Sequence, residues 1–157
     1  MVIPLIFETQ CYMGAITSIV IRPEKRGPIQ HLINAHIHAN GIDGDHFVRP
    51  ETKRSVTLVA ADDLARVAAT IGFQGDAHGA CRRNICVDSF PEQNMEGKQI
   101  ALGDDVILEI TCYCTPCKRM NENLGDGAVE AFDHAAGWGA IVIREGDIRV
   151  GDEFRVL

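Results

Sequence analysis

The sequence has few aromatic residues, at 6% of its 157 positions, and no apolar run near the roughly 18 residues of a membrane-spanning helix. It also has no excess of positive charge, since 22 acidic and 15 basic residues give a formal net charge of −7. This balance argues against broad binding to nucleic acid or to a membrane surface, although it allows a local basic pocket. Glu8 ends the apolar segment of residues 1–7, and no basic residue precedes that segment. We therefore expect a cytoplasmic protein.

Several common functional motifs are missing as well. The sequence contains no glycine-rich phosphate loop, no Gly-x-Ser-x-Gly elbow and no long-period repeat. With 46% hydrophobic and 24% charged residues, its composition is that of an ordinary globular protein, and its length predicts one domain over residues 1–157. The six cysteines of such a chain are expected to be reduced thiols, some of them catalytic or metal-binding.

Short strand patterns separated by turn signals occupy most of the chain. Two Gly-Asp turns, at residues 103–104 and 151–152, each lead into an alternating strand. Together with the absence of a βαβ rhythm, the strands predict a mainly β fold with minor helices, arranged as an antiparallel β-barrel. Further strands are predicted over Gly14–Arg22, Ile29–Ala39, Ser55–Ala60, Arg83–Val87 and Gly139–Arg144.

Two segments have helix patterns. The clearer one begins with Asp62 or Asp63 as its N-cap and ends at about Ile71, where Gly72 stops it. A second, short helix is predicted over Gly127–Ala136.

Three cysteines lie within six residues directly after a strand pattern, in Ile110–Met120. Lys118 and Arg119 follow Cys117, and their positive charge favours a thiolate there. Cys112 is expected to have a buried, structural role. In one interpretation, Cys117 alone is functional, as a persulfide carrier, a nucleophile or a ligand to a soft metal such as molybdenum.

Two other interpretations of the cysteines stay open. The Cys114-Thr-Pro-Cys117 spacing is that of a redox dithiol, although the βαβ setting typical of such motifs is missing. The same spacing is half of a structural zinc site, which His78, Cys81 and Cys86 could complete.

Two basic segments precede predicted strands. Arg82, Arg83 and Asn84 are candidates for binding an anion and an amide edge, because guanidinium groups match phosphate or carboxylate in a bidentate way. Arg54 is a similar candidate before Ser55–Ala60. The alternative for each is an exposed charge at the end of a strand.

Histidines and aspartates are concentrated in a further segment. Imidazole and carboxylate groups there could bind iron, zinc or manganese. Their spacing instead favours exposed strand histidines and turn aspartates. The residues are His36, His38, Asp43, Asp45 and His46.

The order of several short motifs resembles that of the MOSC domain, the module named after the C-terminal part of molybdenum cofactor sulfurases. The resemblance extends over about residues 14–157. It is carried by Gly41-Ile-Asp-Gly-Asp-His46, Arg54-Ser-Val-Thr-Leu58, Arg83-Asn-Ile85, Leu102-Gly-Asp104, Ile110-Thr-Cys112, Pro116-Cys117 and Gly146-Asp-Ile-Arg-Val-Gly-Asp152.

The resemblance implies a β-barrel in which Cys117 carries sulfur or ligates molybdenum. It also implies that the phosphorylated pterin of the molybdenum cofactor, molybdopterin, binds among basic residues. The residues at the matching positions, with the two cations after the cysteine, are Arg54, Arg83, Asn84, Lys118 and Arg119. Many relatives have an arginine three residues before the cysteine, where this chain has Cys114, which leaves a Cys114–Cys117 disulfide or metal pair open.

The resemblance also indicates which partners are needed. The chain has no pyridoxal phosphate domain of the sulfurase type, so a cysteine desulfurase-like donor would supply sulfur, or redox partner proteins would supply electrons. The expected function is that of a sulfur-transfer protein or of a component of a molybdenum-dependent oxidoreductase. The alternatives are a non-enzymatic module stabilised by zinc and a thiol redox protein that uses Cys114 and Cys117.

Overall fold

The computed structural model describes residues 13–50 and 52–157, which form eleven strands and four helices. Cys11 and the apolar residues 1–7 lie outside the described residues. The strands are β1 (Met13–Ile21), β2 (Gln30–Leu32), β3 (Asn34–His38), β4 (Gly41–Ile42), β5 (Val56–Ala60), β6 (Ile85–Val87), β7 (Gln99–Leu102), β8 (Val106–Tyr113), β9 (Trp138–Arg144), β10 (Gly146–Arg149) and β11 (Glu153–Val156). The helices are α1 (Ala61–Ile71), α2 (Ala77–Cys81), α3 (Lys118–Leu124) and α4 (Ala128–Ala131).

Strand β1 closes a seven-stranded barrel. The sheet order is β11-β7-β8-β9-β5-β6-β1, and an additional β11–β1 pairing joins its ends. β1 closes the barrel because its first residues pair with β11 and Ile16–Ile19 pair with β6. Its last residues also pair with β2, which lies outside the barrel. Closure leaves no open edge among the seven strands. The predicted mainly β barrel with minor helices is confirmed.

One pair of barrel strands is parallel, which the sequence did not predict. β5 and β6 run in the same direction with Leu58 opposite Ile85, and α1 and α2 lie in the connection between them. α1 follows β5 without a loop, so its N-cap is Ala60, which makes no side-chain cap. The predicted N-cap at Asp62 or Asp63 was therefore wrong, whereas the predicted end at Gly72 is confirmed by its left-handed conformation, with φ of 70°.

The strand predicted over Ile29–Ala39 is divided between two sheets. β2 pairs with β1, whereas β3 belongs to a small sheet of order β10-β3-β4, so the chain changes partner at the exposed residue Ile33. Within β3 the predicted alternation is confirmed, because Ala35 and Ile37 are buried while His36 and His38 face outward.

Buried residues form two hydrophobic clusters, one on each side of β5. Leu58 belongs to the barrel interior with Ile85 and Phe154, whereas its neighbour Val59 packs in a second cluster with Phe132. Successive side chains of a strand point to opposite faces, so β5 is buried on both. The second cluster also holds Cys81 and Cys86 with side chains from all four helices, and thereby attaches the helices to the barrel wall. None of the helices in the described residues has the length and apolar composition needed to cross a membrane.

Candidate functional site

Cys117 is the exposed member of the five cysteines in the described residues. It is the N-cap of α3, and its carbonyl accepts a hydrogen bond of 2.8 Å from the backbone N–H of Met120. Cys112 is half-buried, and Cys81, Cys86 and Cys114 are buried. All five are free thiols. Exposure at the start of a helix leaves the Cys117 thiol accessible to a ligand.

Cys117 lines a cavity of about 270 Å³ that is rich in positive charge. The cavity lies between the loop after β1, the end of α2 and the start of α3, and its wall also contains His46, Cys81 and Met120. Its volume is close to the lower end of typical ligand pockets, roughly 300 Å³. Five arginines and one lysine line it: Arg22, Lys25, Arg26, Arg82, Arg83 and Arg119.

The pairing of β1 with β6 brings two of these basic segments together. The strands are antiparallel with Ile19 opposite Ile85, so the end of β1 lies beside the start of β6. Arg22 follows the first strand and Arg83 precedes the second. Two distant segments of the sequence thereby supply adjacent guanidinium groups.

Hydrogen bonds to the main chain hold Arg82 and Arg83 in place. Arg82 ends α2 in a left-handed conformation, with φ of 62°, and its Nη2 donates to the carbonyl of Gly27 at 2.9 Å. Arg83 Nε donates to the carbonyl of Ala136 at 2.8 Å. Because a guanidinium has five N–H donors, each arginine keeps several of them for a ligand.

Arg22 has a buried donor with no hydrogen-bond partner among the described residues. Its Nε atom is inaccessible to solvent and lies 3.9 Å from Oδ1 of Asp45, beyond hydrogen-bond distance. Burial lowers the pKa of Arg22, and neighbouring Arg82 and Arg83 act in the same direction, whereas Asp45 opposes them. Since an arginine stays charged in proteins, Arg22 keeps a charge that burial disfavours and that Asp45 offsets only in part.

The pKa of Arg82 is also lowered. Its pKa is lowered first by burial and then by the neighbouring charge of Arg119, with only Asp45 opposing. This crowding of cations is local, because the whole chain carries a formal net charge of −7. The cavity is therefore suited to an anion, which would relieve the repulsion.

The structure brings together some of the residues predicted for the site. Cys117, Arg83 and Arg119 share the cavity. Lys118 is exposed and is not among the lining residues. Arg54 lies instead beside Cys112 and Cys114. A Cβ atom placed on Gly139 would meet both the Arg54 side chain and Cys112 Sγ, and Arg54 acts to lower the pKa of Cys114.

Asn84 is buried between two barrel strands. Its Oδ1 accepts hydrogen bonds of 3.1 Å from both the N–H and the hydroxyl of Thr57, and its Nδ2 donates to the carbonyl of Val20 at 3.3 Å. These bonds join β1 to β5. The amide is thus engaged in the barrel, and Asn84 is not among the residues that line the cavity.

Several lining residues were not predicted for this site, among them Arg22, Lys25, Arg26 and His46. The first three belong to the charged loop Arg22-Pro-Glu-Lys-Arg26, whose density of cations was the available signal. His46 was interpreted only as a possible metal ligand. Its Nδ1–H donates to the carbonyl of Arg22 at 2.8 Å, which ties residues 45–46 to the end of β1.

Cys114 occupies a different environment from Cys117. It is fully buried, and burial raises the pKa of its thiol against the opposing charges of Arg83 and Arg54. The CxxC motif therefore holds one exposed thiol and one inaccessible thiol.

The described residues contain no group of three or more His, Cys, Asp and Glu side chains placed to hold a metal ion. Both ring nitrogens of His78, one proposed zinc ligand, are occupied: Nδ1 accepts from the Ser18 hydroxyl and Nε2 donates to the carbonyl of Arg83 at 2.7 Å. His36 pairs with Asp147 at 2.7 Å rather than with a metal-site neighbour. Neither the zinc set nor the histidine–aspartate set is assembled in this part of the chain.

Comparisons with known proteins match one family model and several solved structures. The family model described as "MOSC domain" matches residues 36–155. The YuaD protein from Bacillus subtilis superimposes with a TM-score of 0.82 at 18% identity, covering 94% of this chain and 97% of that one. YiiM from Escherichia coli gives a TM-score of 0.66 at 15% identity, with 91% and 69% of the chains covered. YiiM from Geobacillus stearothermophilus gives 0.69 at 16% identity, with 93% and 75% covered. A search of curated proteins found no match.

Proposed function

Because this chain belongs to the MOSC domain family, we propose that its basic cavity binds the phosphorylated pterin of the molybdenum cofactor and that Cys117 supplies the reactive sulfur. One observation carries the proposal: the exposed thiol of Cys117 shares a cavity with six cationic side chains. The thiol and the cations match the two chemical ends of such a cofactor, a thiophilic metal and a phosphate.

The cationic wall fits a phosphate group. Arginine forks donate paired hydrogen bonds to phosphate oxygens, and Arg83 and Arg119 line the cavity with guanidinium donors. Arg22 adds a further guanidinium to this wall. A bound phosphate would offset the repulsion among the arginines.

The thiol fits either of two roles at the same atom. Cys117 can hold molybdenum as a thiolate ligand, or it can carry sulfane sulfur as a persulfide. When bound, the cofactor supplies a redox-active metal centre that accepts soft sulfur ligands. Cys117 presents the sulfur at the start of α3, in the cavity that Arg119 also lines.

The proposed system needs partners in the cytoplasm. A cysteine desulfurase-like donor would load sulfur onto Cys117, or redox proteins would deliver electrons to the bound cofactor. Both routes require Cys117 to be reachable by another molecule, which its exposure permits.

A pair of cysteine variants tests the role of Cys117. The wild-type protein, Cys117→Ser and Cys86→Ser are purified without oxygen and analysed for molybdenum, pterin and sulfane sulfur. Cys86 is the matched control because it is a buried thiol outside the cavity lining. We expect Cys117→Ser to lose bound cofactor and sulfane sulfur while Cys86→Ser retains them. Equal retention by both variants would refute the proposal.

A pair of arginine variants tests the anion site. Arg119→Gln removes a guanidinium from the cavity, and a charged hydrogen bond of roughly 1.5–3 kcal/mol predicts about a 10- to 100-fold loss of affinity for the pterin phosphate. Arg54→Gln tests the expectation from the family resemblance, because Arg54 lies beside Cys114. If pterin content falls with Arg54→Gln and not with Arg119→Gln, the phosphate does not bind in this cavity.

A further inference from the structure

We propose that Cys81 is the thiol partner of Cys117: it discharges a persulfide on Cys117 by closing a Cys81–Cys117 disulfide across the cavity and releasing hydrosulfide. This inference rests on the sulfur-carrier function proposed for Cys117. It assigns a role to a cysteine that the CxxC spacing does not include.

Cys81 and Cys117 line one cavity from neighbouring helices. Cys81 is the last residue of α2, Cys117 immediately precedes α3, and both line the cavity wall. α2 packs against α3, and Asn123 Nδ2 on α3 donates to the carbonyl of Ala80 at 3.1 Å. Cys81 also belongs to the same hydrophobic cluster as Met120, whose N–H bonds to the Cys117 carbonyl. The packing of α2 against α3 therefore brings Cys81 and Cys117 to the wall of the same cavity.

Cys114, the partner suggested by the CxxC motif, faces elsewhere. It is fully buried and is not among the lining residues, whereas Cys81 is 4% exposed and lines the cavity. Arg54, which does not line the cavity, lies near Cys114 and acts to lower the pKa of its thiol. Of these two thiols, Cys81 is therefore the one that shares the cavity with Cys117.

The surroundings of Cys81 keep its thiol mainly protonated at neutral pH. Its Sγ donates to the carbonyl of His78 at 3.2 Å. Burial raises the pKa of Cys81 to about 11; Cys86 and Asp76 act in the same direction, whereas a hydrogen bond from the Arg83 backbone and the Arg83 charge oppose it. A Cys81 thiolate would interact favourably with the positive charge of Arg22 as well. A mainly protonated Cys81 reacts slowly, so a persulfide on Cys117 persists long enough to be passed to an acceptor.

The proposed step is a thiol–persulfide exchange. The Cys81 thiolate attacks Sγ of the Cys117 persulfide, a bond forms between the two Sγ atoms, and the bond from Cys117 Sγ to the outer sulfur breaks. The outer sulfur takes the electron pair and leaves as hydrosulfide, which accepts the proton lost by Cys81. The sulfane sulfur is reduced by two electrons and the two cysteines are oxidised to a disulfide, so no external oxidant is needed.

Peptide mapping can identify the bond directly. Reduced protein is treated anaerobically with sodium polysulfide, freed of excess reagent, blocked with N-ethylmaleimide and digested with trypsin without reductant. Cys81 lies in the tryptic peptide 67–82, whereas Cys112, Cys114 and Cys117 lie together in 99–118. A Cys81–Cys117 bond joins the two peptides, and a Cys114–Cys117 bond stays within the second.

Cysteine variants then separate this inference from the carrier function. We expect wild type and Cys86→Ser to release sulfide and form the inter-peptide bond. Cys81→Ser should accumulate persulfide on Cys117 and release sulfide at least about tenfold more slowly. Cys86 is the matched control because burial also raises its pKa to about 11, while it does not line the cavity.

Three results would overturn the inference. A bond confined to peptide 99–118, or wild-type sulfide release from Cys81→Ser, refutes the role of Cys81. A stable persulfide on wild-type Cys117 without any inter-peptide bond rejects the discharge step and leaves the carrier function intact. Failure of Cys117 to take up sulfur in every variant refutes the carrier function and this step together.

Discussion

Acid should destabilise the protein through His78, which is buried as a neutral ring beside the site. Only 6% of the residue is exposed, Nε2 donates to the carbonyl of Arg83 at 2.7 Å, and Nδ1 accepts from the Ser18 hydroxyl. Burial is the main reason that the pKa of His78 falls from 6.5 to about 4. Protonation therefore places a positive charge at a position from which water is largely excluded, between α2 and β1.

The sign and size of the effect follow from the two pKa values. The unfolded chain binds a proton at His78 as the pH falls below 6.5, whereas the folded protein does so only near pH 4. Above pH 6.5 the residue has no effect on stability. As the pH falls from 6.5 to about 4, the free energy of unfolding decreases by about 1.4 kcal/mol per pH unit. The total loss at pH 4 is about 3 kcal/mol, a large share of the roughly 5–15 kcal/mol that stabilises a typical domain.

Urea unfolding of wild type and His78→Gln at several pH values between 7 and 4 measures this loss. We expect the wild type to lose about 3 kcal/mol more than the variant over this range, because the glutamine does not titrate. His36→Gln is the exposed control, since a hydrogen bond to Asp147 raises the pKa of His36 and so cannot cause a loss in acid. Parallel stability curves for wild type and His78→Gln would refute the assignment of a buried neutral His78.

Two further predictions concern a strained glycine and the accessibility of the thiols. Gly137→Ala should lower the free energy of unfolding by about 3 kcal/mol or more, because φ is +97° and a Cβ would collide with main-chain atoms of β5. Gly72→Ala, where φ is +70° and the space around the residue is open, should lower it by only about 1 kcal/mol. Denaturant unfolding measures both, and equal losses would contradict this reasoning. Iodoacetamide should label Cys117 in the folded protein and Cys114 only on unfolding, as followed by peptide mass spectrometry. Equal labelling rates would show that Cys114 is accessible.

The strands were predictable because their patterns are local. The alternation in β3 separates buried Ala35 and Ile37 from outward-facing His36 and His38, and a sheet with one covered face imposes that same period. The β-branched residues of β5 likewise indicated a strand, although not that it is buried on both faces. Those patterns sufficed for the fold class.

The short helices α2 and α3 were not predictable in the same way. α2 has five residues with Gly79 in the middle, and α3 has seven residues after Pro116. Helices of this length are unstable alone and depend on tertiary packing, here on the cluster that contains Cys81 and Met120. The parallel β5–β6 connection that includes α2 was missed for the same reason.

The sequence by itself identified Cys117 as the candidate thiol, with Arg83 and Arg119 among its candidate cations. The tertiary structure decided which other groups join them, because Arg22 reaches Arg83 only through the antiparallel pairing of β1 with β6. It also decided that Cys81 lines the same cavity and that Cys114 does not, although Cys114 is closer to Cys117 in the sequence. Local patterns report which chemical groups are present and the period of each strand. The burial of a side chain and the identity of its neighbours result from packing between distant segments, and no local pattern contains that information.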